Sequence, residues 1–453
     1  MKTGVSRVFF LIIILLLSAC NTSVPAEIDN EVSTSALKRI NYRNVFREWN
    51  PSLSNRQVQN KLNQTWNTYF VNPQTKLYFT QGNDRGYIKD FYNNDVRSEG
   101  MSYGMMIAVQ MNKKEVFDRL WNYAHTYMRH PSGPRRGYFA WRVSESGQKL
   151  DDNSAPDGEI YMAMALYFAS GRWGNGQGIY NYQAKANQLL RVMLHKEDQN
   201  GGIRAVSNVS GASDRVTNMF QFDNDYHSGA DYNQVVFVPS AVNGLNEFTD
   251  PSYHLPAFYH LFSQWSPRNS YFGAPLNDRQ RWRKIRDASR FYFFEQAINS
   301  RGLTSDYANF DGSPKTVGFN ANSNKFSYDS WRVGMNWGVD QAWFNPGANY
   351  GEWADDLQDF MRPQIGDLAN TYELNGRVVE DYPGTDPGLL AMVTTAGLAA
   401  TKQGNVKIFA EALWNASAPT DPSNRYYSGL LYFMGLLNMS GQYRIYCPPG
   451  LSC

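Results

Sequence analysis

The chain has 453 residues with 43 Lys and Arg against 41 Asp and Glu, and the net charge of +2 excludes an electrostatic grip on nucleic acid. Apolar residues make up 42%, enough for a large core, while only 19% are charged and 15% are aromatic, with 29 Tyr, 26 Phe and 12 Trp. An aromatic excess of this size fits either an aromatic-packed helical core or a cleft whose flat amphipathic walls take a polar, ring-shaped ligand.

Lys2 and Arg7 precede an apolar run over residues 8–17 that ends in Leu17-Ser18-Ala19-Cys20. The run is too short to span a bilayer and has the length of a secretory leader. Small residues running into Cys20 resemble a bacterial lipoprotein signal. This makes residues 1–19 the leader, Cys20 the lipidated first residue of the mature chain and residues 20–37 a tether rich in Ser, Thr, Asn and Glu. Asn21 in the next position resembles Gram-negative sorting towards the outer membrane. The expectation is an exported protein held in the outer membrane or periplasm, touching the membrane only through that lipid.

Residues 38–453 contain no low-complexity linker or charge block and read as one large domain. Its pattern is helical. Trp282, Ile285, Ala288 and Phe291 recur every three residues, and Trp353, Leu357, Phe360 and Met361 fall at i, i+4, i+7 and i+8. Further helices are predicted over 99–112, 115–129, 159–170, 182–195, 255–264, 329–343, 388–402, 405–415 and 425–438. Only residues 234–238 read as a strand, so the alternating runs of an α/β sheet are missing. Long Gly-, Asn-, Asp- and Tyr-rich stretches over 68–96, 131–157, 200–233 and 300–328 are candidates for the working face.

Cys447 and Cys453, close together at the C-terminus of a chain read as exported, suggest a small terminal disulfide. Six scattered histidines show no metal-binding spacing, and Gly174-Asn175-Gly176-Gln177-Gly178 lacks the spacing and strand of a nucleotide fingerprint. Chemistry without metal or cofactor is therefore expected.

Three carboxylates share a context: Glu99, Asp157 and Asp329 each stand where a polar loop turns into a predicted helix. Capping is the ordinary explanation for an acid at such a place. Each also ends a long aromatic loop, however, and a pair of carboxylates facing a sugar ring can protonate the leaving oxygen and activate water without a cofactor. A helix N-terminus favours the ionised form, so the acid of such a pair needs burial or a neighbouring carboxylate to keep its proton. Gly100-Met101-Ser102-Tyr103-Gly104 overlaps the first carboxylate and satisfies the G-x-S-x-G elbow of serine hydrolases. It follows the polar stretch Asn93-Asn94-Asp95-Val96-Arg97 instead of a buried strand.

Four motifs in order resemble glycoside hydrolase family eight over most of residues 45–440: Ser98-Glu99-Gly100-Met101-Ser102-Tyr103-Gly104, Ala155-Pro156-Asp157-Gly158-Glu159, Asp250-Pro251-Ser252-Tyr253-His254 and Tyr328-Asp329-Ser330-Trp331-Arg332. The resemblance implies an all-α fold, an (α/α)6 barrel with long loops forming a substrate cleft, and an inverting hydrolase. Glu99 becomes the general acid and Asp329 the general base. Asp157 holds the distorted sugar, and Tyr253 helps position the water. Trp141 matches a sugar-stacking position, Arg332 orients Asp329 or contacts sugar, and Tyr103, Tyr328 and Tyr382 are further substrate contacts. Trp331 and Trp337 read as packing.

The Ala-Pro-Asp-Gly-Glu and Asp-Pro-Ser-Tyr-His forms look most like the family's xylan-active branch, with xylan or xylo-oligosaccharides as substrate. Reducing-end xylose-releasing members carry a Leu-His-Pro kink, and the matching Thr385-Asp386-Pro387 lacks its Leu and His. Endo-β-1,4-xylanase action is therefore favoured, with reducing-end exo-oligoxylanase action as the alternative. A glucanase or chitosanase of the same family, a glycan-binding lipoprotein and a serine hydrolase stay open.

Overall fold

The computed structural model describes residue 40 and residues 42–199, 216–221, 233–269, 276–380 and 383–452. From Ile40 onward the chain forms one compact unit. Among the described residues, twelve helices of ten or more residues alternate between an outer and an inner ring. The outer ring holds α1 (Asn55–Trp66), α3 (Lys114–Tyr123), α5 (Tyr182–Gln199), α7 (Asp278–Ala288), α9 (Tyr350–Met361) and α11 (Gln403–Asn415). The inner ring holds α2 (Ser98–Gln110), α4 (Pro156–Trp173), α6 (Pro256–Trp265), α8 (Val333–Phe344), α10 (Pro387–Ala396) and α12 (Tyr427–Met439). This is an (α/α)6 barrel.

Sequence separates the rings. Outer helices bury one stripe, such as Val58, Leu62 and Trp66 on α1, and carry polar residues elsewhere. Inner helices are apolar on every side: each residue of α2 except Glu99 is buried, as is each residue of α12 except Tyr427. The exposed positions of these two core helices thus lie at their first turns, at the mouth of the barrel. The inner ring is sewn by aromatic edges and by small residues. Tyr103 meets Tyr161 at 4.9 Å, Tyr161 meets Phe258 at 5.0 Å, and a Cβ on Gly435 of α12 would stand 2.6 Å from the Ala391 Cβ of α10.

Short antiparallel hairpins decorate this end: β1 (Tyr78–Gln81) with β2 (Arg85–Ile88), β3 (Val96–Arg97) with β4 (Arg142–Val143) and β5 (Lys149–Asp151), β6 (Phe220–Gln221) with β7 (Gln234–Val235), and β8 (Thr371–Tyr372) with β9 (Val378–Glu380). In the three-stranded sheet Arg97 lies opposite Arg142, which sets the Trp141 loop beside the start of α2.

Several expectations shift. The strand over 234–238 shrinks to Gln234–Val235, and the other hairpins fall inside stretches read as loops, because pairs of two to four residues leave too little period-2 pattern to read. The helix over 388–402 stops at Ala396, with Gly397 as its cap and Asp355 of α9 accepting the Thr401 and Lys402 amides that open the next helix. Phe291 is 49% exposed, not core: the π-turn Ser289–Phe293 breaks the phase set by Trp282, Ile285 and Ala288 and turns Phe293 and Phe294 inward. Helix α1, opened by a Ser54/Gln57 capping box, is a further helix beyond those predicted. Trp282, Trp331, Trp337 and Trp353 are buried, as packing residues should be. Cys447 is disulfide-bonded. The leader and tether, Cys453 and most of the 200–233 stretch lie outside the described residues.

Candidate active site

The N-termini of the inner helices converge on one side chain. Arg332 is the last residue of the 3-10 turn Ser330–Arg332 that leads into α8 and is 3% exposed. Its Nη1 donates to Glu99 Oε2 at 3.0 Å, Asp157 Oδ2 at 2.9 Å and the Tyr103 hydroxyl at 2.9 Å. Its Nη2 donates to Asp329 Oδ1 at 2.9 Å and lies 3.5 Å from Asp250 Oδ2. Four carboxylates from four loop-to-helix junctions thus share one guanidinium, whose planar fork of donors suits several acceptors at once. Glu99 and Asp329 are thereby held on the two arms of one guanidinium, Glu99 on Nη1 and Asp329 on Nη2.

The carboxylates do not share one environment. Burial pushes Glu99 up to about 7; Arg332 opposes the rise, and the charges on Asp157 and Asp329 add to it. Its Oε1 accepts from the Tyr426 hydroxyl at 3.1 Å. Burial also raises Asp157, again against Arg332. Asp250 and Asp306 are raised well above the usual carboxylate range, by burial first and by Asp329 second. Asp329 has the most exposed of the four side chains on Arg332, at 30%, and looks into the open cleft. A buried carboxyl raised towards neutrality beside a more accessible one is an arrangement that suits acid–base chemistry.

Two cavities of about 810 Å³ each meet at this pair, and Arg97, Glu99 and Asp329 line both. One runs past Trp141, Asp157, Tyr253, Phe248 and Phe319. The other runs past Tyr92, Tyr328, Asn370, Thr385, Asn424 and Tyr427. Walls come from the 68–96, 131–157 and 300–328 stretches, together with the 237–248 segment.

The predicted residues divide by place. Glu99, Asp157, Asp329, Arg332, Tyr253 and Trp141 come together at the junction or along the first cavity; Trp141 is half-buried, its ring 5.3 Å from the Arg97 guanidinium. Tyr328, 37% exposed, borders the second cavity, with Asn370 Nδ2 donating to its hydroxyl at 3.3 Å. Tyr103 lines neither cavity: it is 1% exposed and supports Arg332 from behind. Tyr382 lies outside the described residues. Ser102 is fully buried and its hydroxyl donates to the Glu99 carbonyl at 2.8 Å, so it presents no nucleophile.

Four further residues enter from the structure. Asp250 caps the 3-10 turn Pro251–Tyr253 while facing Arg332. Asp306 accepts the Ser330 amide and hydroxyl at 3.0 and 2.9 Å and so fixes the turn after Asp329. Tyr426 holds Glu99, and the Tyr427 hydroxyl donates to the Tyr328 carbonyl at 2.6 Å. The signal for this last pair is two tyrosines opening an otherwise apolar helix, and for Asp250 it is an Asp-Pro-Ser cap inside a motif already noted.

The family model "Glycosyl hydrolases family 8" matches residues 57–219. The chain is similar to the reducing-end xylose-releasing exo-oligoxylanase Rex8A of Paenibacillus barcinonensis, 38% identical over 86% of this chain and 93% of the relative. It is also similar to a reducing end xylose-releasing exo-oligoxylanase of Halalkalibacterium halodurans, 35% identical over 90% of this chain and 95% of the relative. Among solved structures, a GH8 xylobiose complex from Teredinibacter turnerae superposes with a TM-score of 0.79 at 38% identity, covering 90% of this chain and 98% of that one.

Proposed function

The chain belongs to glycoside hydrolase family 8, and on that footing we propose that it hydrolyses β-1,4-xylosidic bonds of xylo-oligosaccharides with inversion, releasing xylose from the reducing end. The observation that carries the chemistry is the placement of Glu99 and Asp329 on one guanidinium at the junction of two cavities. Protonated Glu99 gives its proton to the glycosidic oxygen as the C–O bond breaks. Asp329 takes a proton from a water that attacks the anomeric carbon from the opposite face. Asp157 and Tyr253 hold the sugar on the Trp141 side, and Arg332 keeps the three acids in place as charge moves between them. Nothing in this sequence of proton transfers calls on a metal.

The exo mode reverses the preference drawn from the motifs alone. It is supported by two relatives with that activity in their names, both matching along nearly their whole length. The endo mode keeps one observation in its favour. The cavity on the Tyr328–Thr385 side is as large as the one on the Trp141 side, about 810 Å³, and Pro383-Gly384-Thr385-Asp386-Pro387 borders it without a Leu-His pair. Product sizing separates the modes. Xylose released stepwise from xylotetraose, with polymeric xylan untouched, supports exo action, whereas mixed oligomers from xylan support endo action. Asp329→Asn should lose about 10²- to 10⁴-fold in kcat in either case.

Export with a lipid on Cys20 rests on residues 2–21 alone. Radiolabelled fatty acid incorporated into the wild type and not into Cys20→Ala supports it; equal labelling contradicts it.

A further inference from the structure

We propose that Glu159 is a positioning residue for the Trp141 wall of the cleft, clamping the backbone that carries Trp141 to the helix turn that carries Asp157. Glu159 is fully buried, two residues after Asp157 in the first turn of α4, and touches no substrate cavity. Its Oε1 accepts the Phe139 N–H at 2.9 Å. From Phe139 the backbone runs on through a continuous set of bonds: the Trp141 N–H donates to the Asn153 carbonyl at 2.8 Å, and the Ser98 N–H donates to the Trp141 carbonyl at 2.9 Å. Glu99 follows Ser98. One carboxyl therefore joins the stacking wall, the Asp157 turn and the start of the helix that bears the acid.

The clamp is built for a neutral carboxyl. Glu159 Oε2 and the Ser154 hydroxyl are both buried and make no close hydrogen bond, although the hydroxyl stands near enough to favour the ionised form a little, and no cation pairs with Glu159 among the described residues. The groups that face it are the Phe139 amide, Ser154, Asp157 on its own turn and the Tyr138 ring, against which Lys196 Nζ lies 5.0 Å from the centroid. Burial pushes Glu159 up to about 8, opposed by the Phe139 N–H, its own backbone N–H and the Ser154 hydroxyl and reinforced by Asp157. Ionisation leaves an unpaired buried charge beside Asp157, which the wall relieves by admitting water and loosening.

The inference rests on the xylan reading only for its choice of ligand. In an Asp329→Asn background, which binds without turnover, xylotetraose affinity is measured from pH 6.5 to 9.5 with Glu159 and with Glu159→Gln. Amide exchange over residues 137–142 is followed without ligand and corrected for intrinsic rate. With Glu159 the affinity falls about tenfold more between pH 7 and 9.5 than with Gln, and protection falls with it. The raised Glu99, Asp157, Asp250 and Asp306 contribute to both profiles and cancel in the comparison. Glu159→Met, which keeps volume but loses the acceptor, exchanges fast at every pH. Superimposable Glu and Gln profiles overturn the proposal, as does wild-type protection in the Met variant; if Met fails to fold, the Gln comparison decides. Failure of the Glu159 protein to bind xylotetraose at pH 6.5 counts against the substrate reading, and the exchange data then decide Glu159 by themselves.

Discussion

Arg332 and Glu99 stand 233 positions apart in the chain, and the Arg332 Nη1 lies 3.0 Å from Glu99 Oε2. The same nitrogen reaches Asp157, and its twin reaches Asp329, so one buried cation balances the three carboxylates to which the proposed mechanism gives the roles of acid, sugar holder and base. Removing a partner from such a buried cluster leaves several carboxylates uncompensated. Arg332→Met should destabilise the fold by about 3–5 kcal/mol, read as a fall in denaturant midpoint. Arg332→Lys should fold better than Met yet remain far below wild type in kcat, because an ammonium lacks the fork that spans both arms.

The position of Glu99 predicts a pH profile. Its carboxyl is pushed up to about 7 by burial, and the proposed mechanism uses it in the protonated form. kcat/KM should therefore fall tenfold per pH unit above about 7. The Asp157 charge contributes to the rise, so Asp157→Asn should move this alkaline limb to lower pH, whatever it does to the absolute rate. The same shift enters stability: a raised carboxyl favours the fold below its unfolded value of 4.5, and that contribution is lost as pH rises towards 7. Glu99→Gln should abolish both the limb and that part of the stability slope.

Gly158 lies between Asp157 and Glu159 because nothing larger fits. A Cβ there would stand 2.7 Å from the Ser98 Cβ and Oγ and 3.2 Å from the Ser98 carbonyl carbon, where α2 and α4 touch. Gly158→Ala gains about 0.5–1 kcal/mol of helix preference in isolation. Overpacking of about 1–3 kcal/mol should outweigh it and push Glu99 away from Asp157. A lower melting temperature together with a reduced kcat is the expected result.

Ser102 tests the serine-hydrolase reading. Ser102→Ala removes a hydroxyl bonded to the Glu99 carbonyl inside the core and should leave activity within a few-fold of wild type. Loss of turnover in Ser102→Ala with turnover retained in Glu99→Gln would restore the serine as nucleophile.

Much of the site is legible in sequence because its acids stand at punctuation. Glu99, Asp157 and Asp329 each close a polar loop in front of an apolar helix, and Arg332 sits one turn past Asp329. Asp306 and Glu159 are not legible as functional positions, since what marks them is burial, a property of the folded packing. Tyr103, expected as a sugar contact, stands one turn deeper than Glu99 on the same face of α2, where it meets Arg332 and lines neither cavity. The inner helices could be read as helices, but their assignment to the inner ring depends on having no polar face, and an apolar segment by itself does not say what will surround it. The short hairpins and the π-turn after α7 are set by tertiary contacts and leave no period to count.

The most direct test of the paired roles of Glu99 and Asp329 is the anomeric configuration of the first product. Proton NMR of xylotetraose hydrolysis, recorded faster than mutarotation, should show the newly formed reducing end as the α-anomer, absent with Asp329→Asn and with Glu99→Gln. A β-anomer appearing first would contradict single displacement by water activated at Asp329.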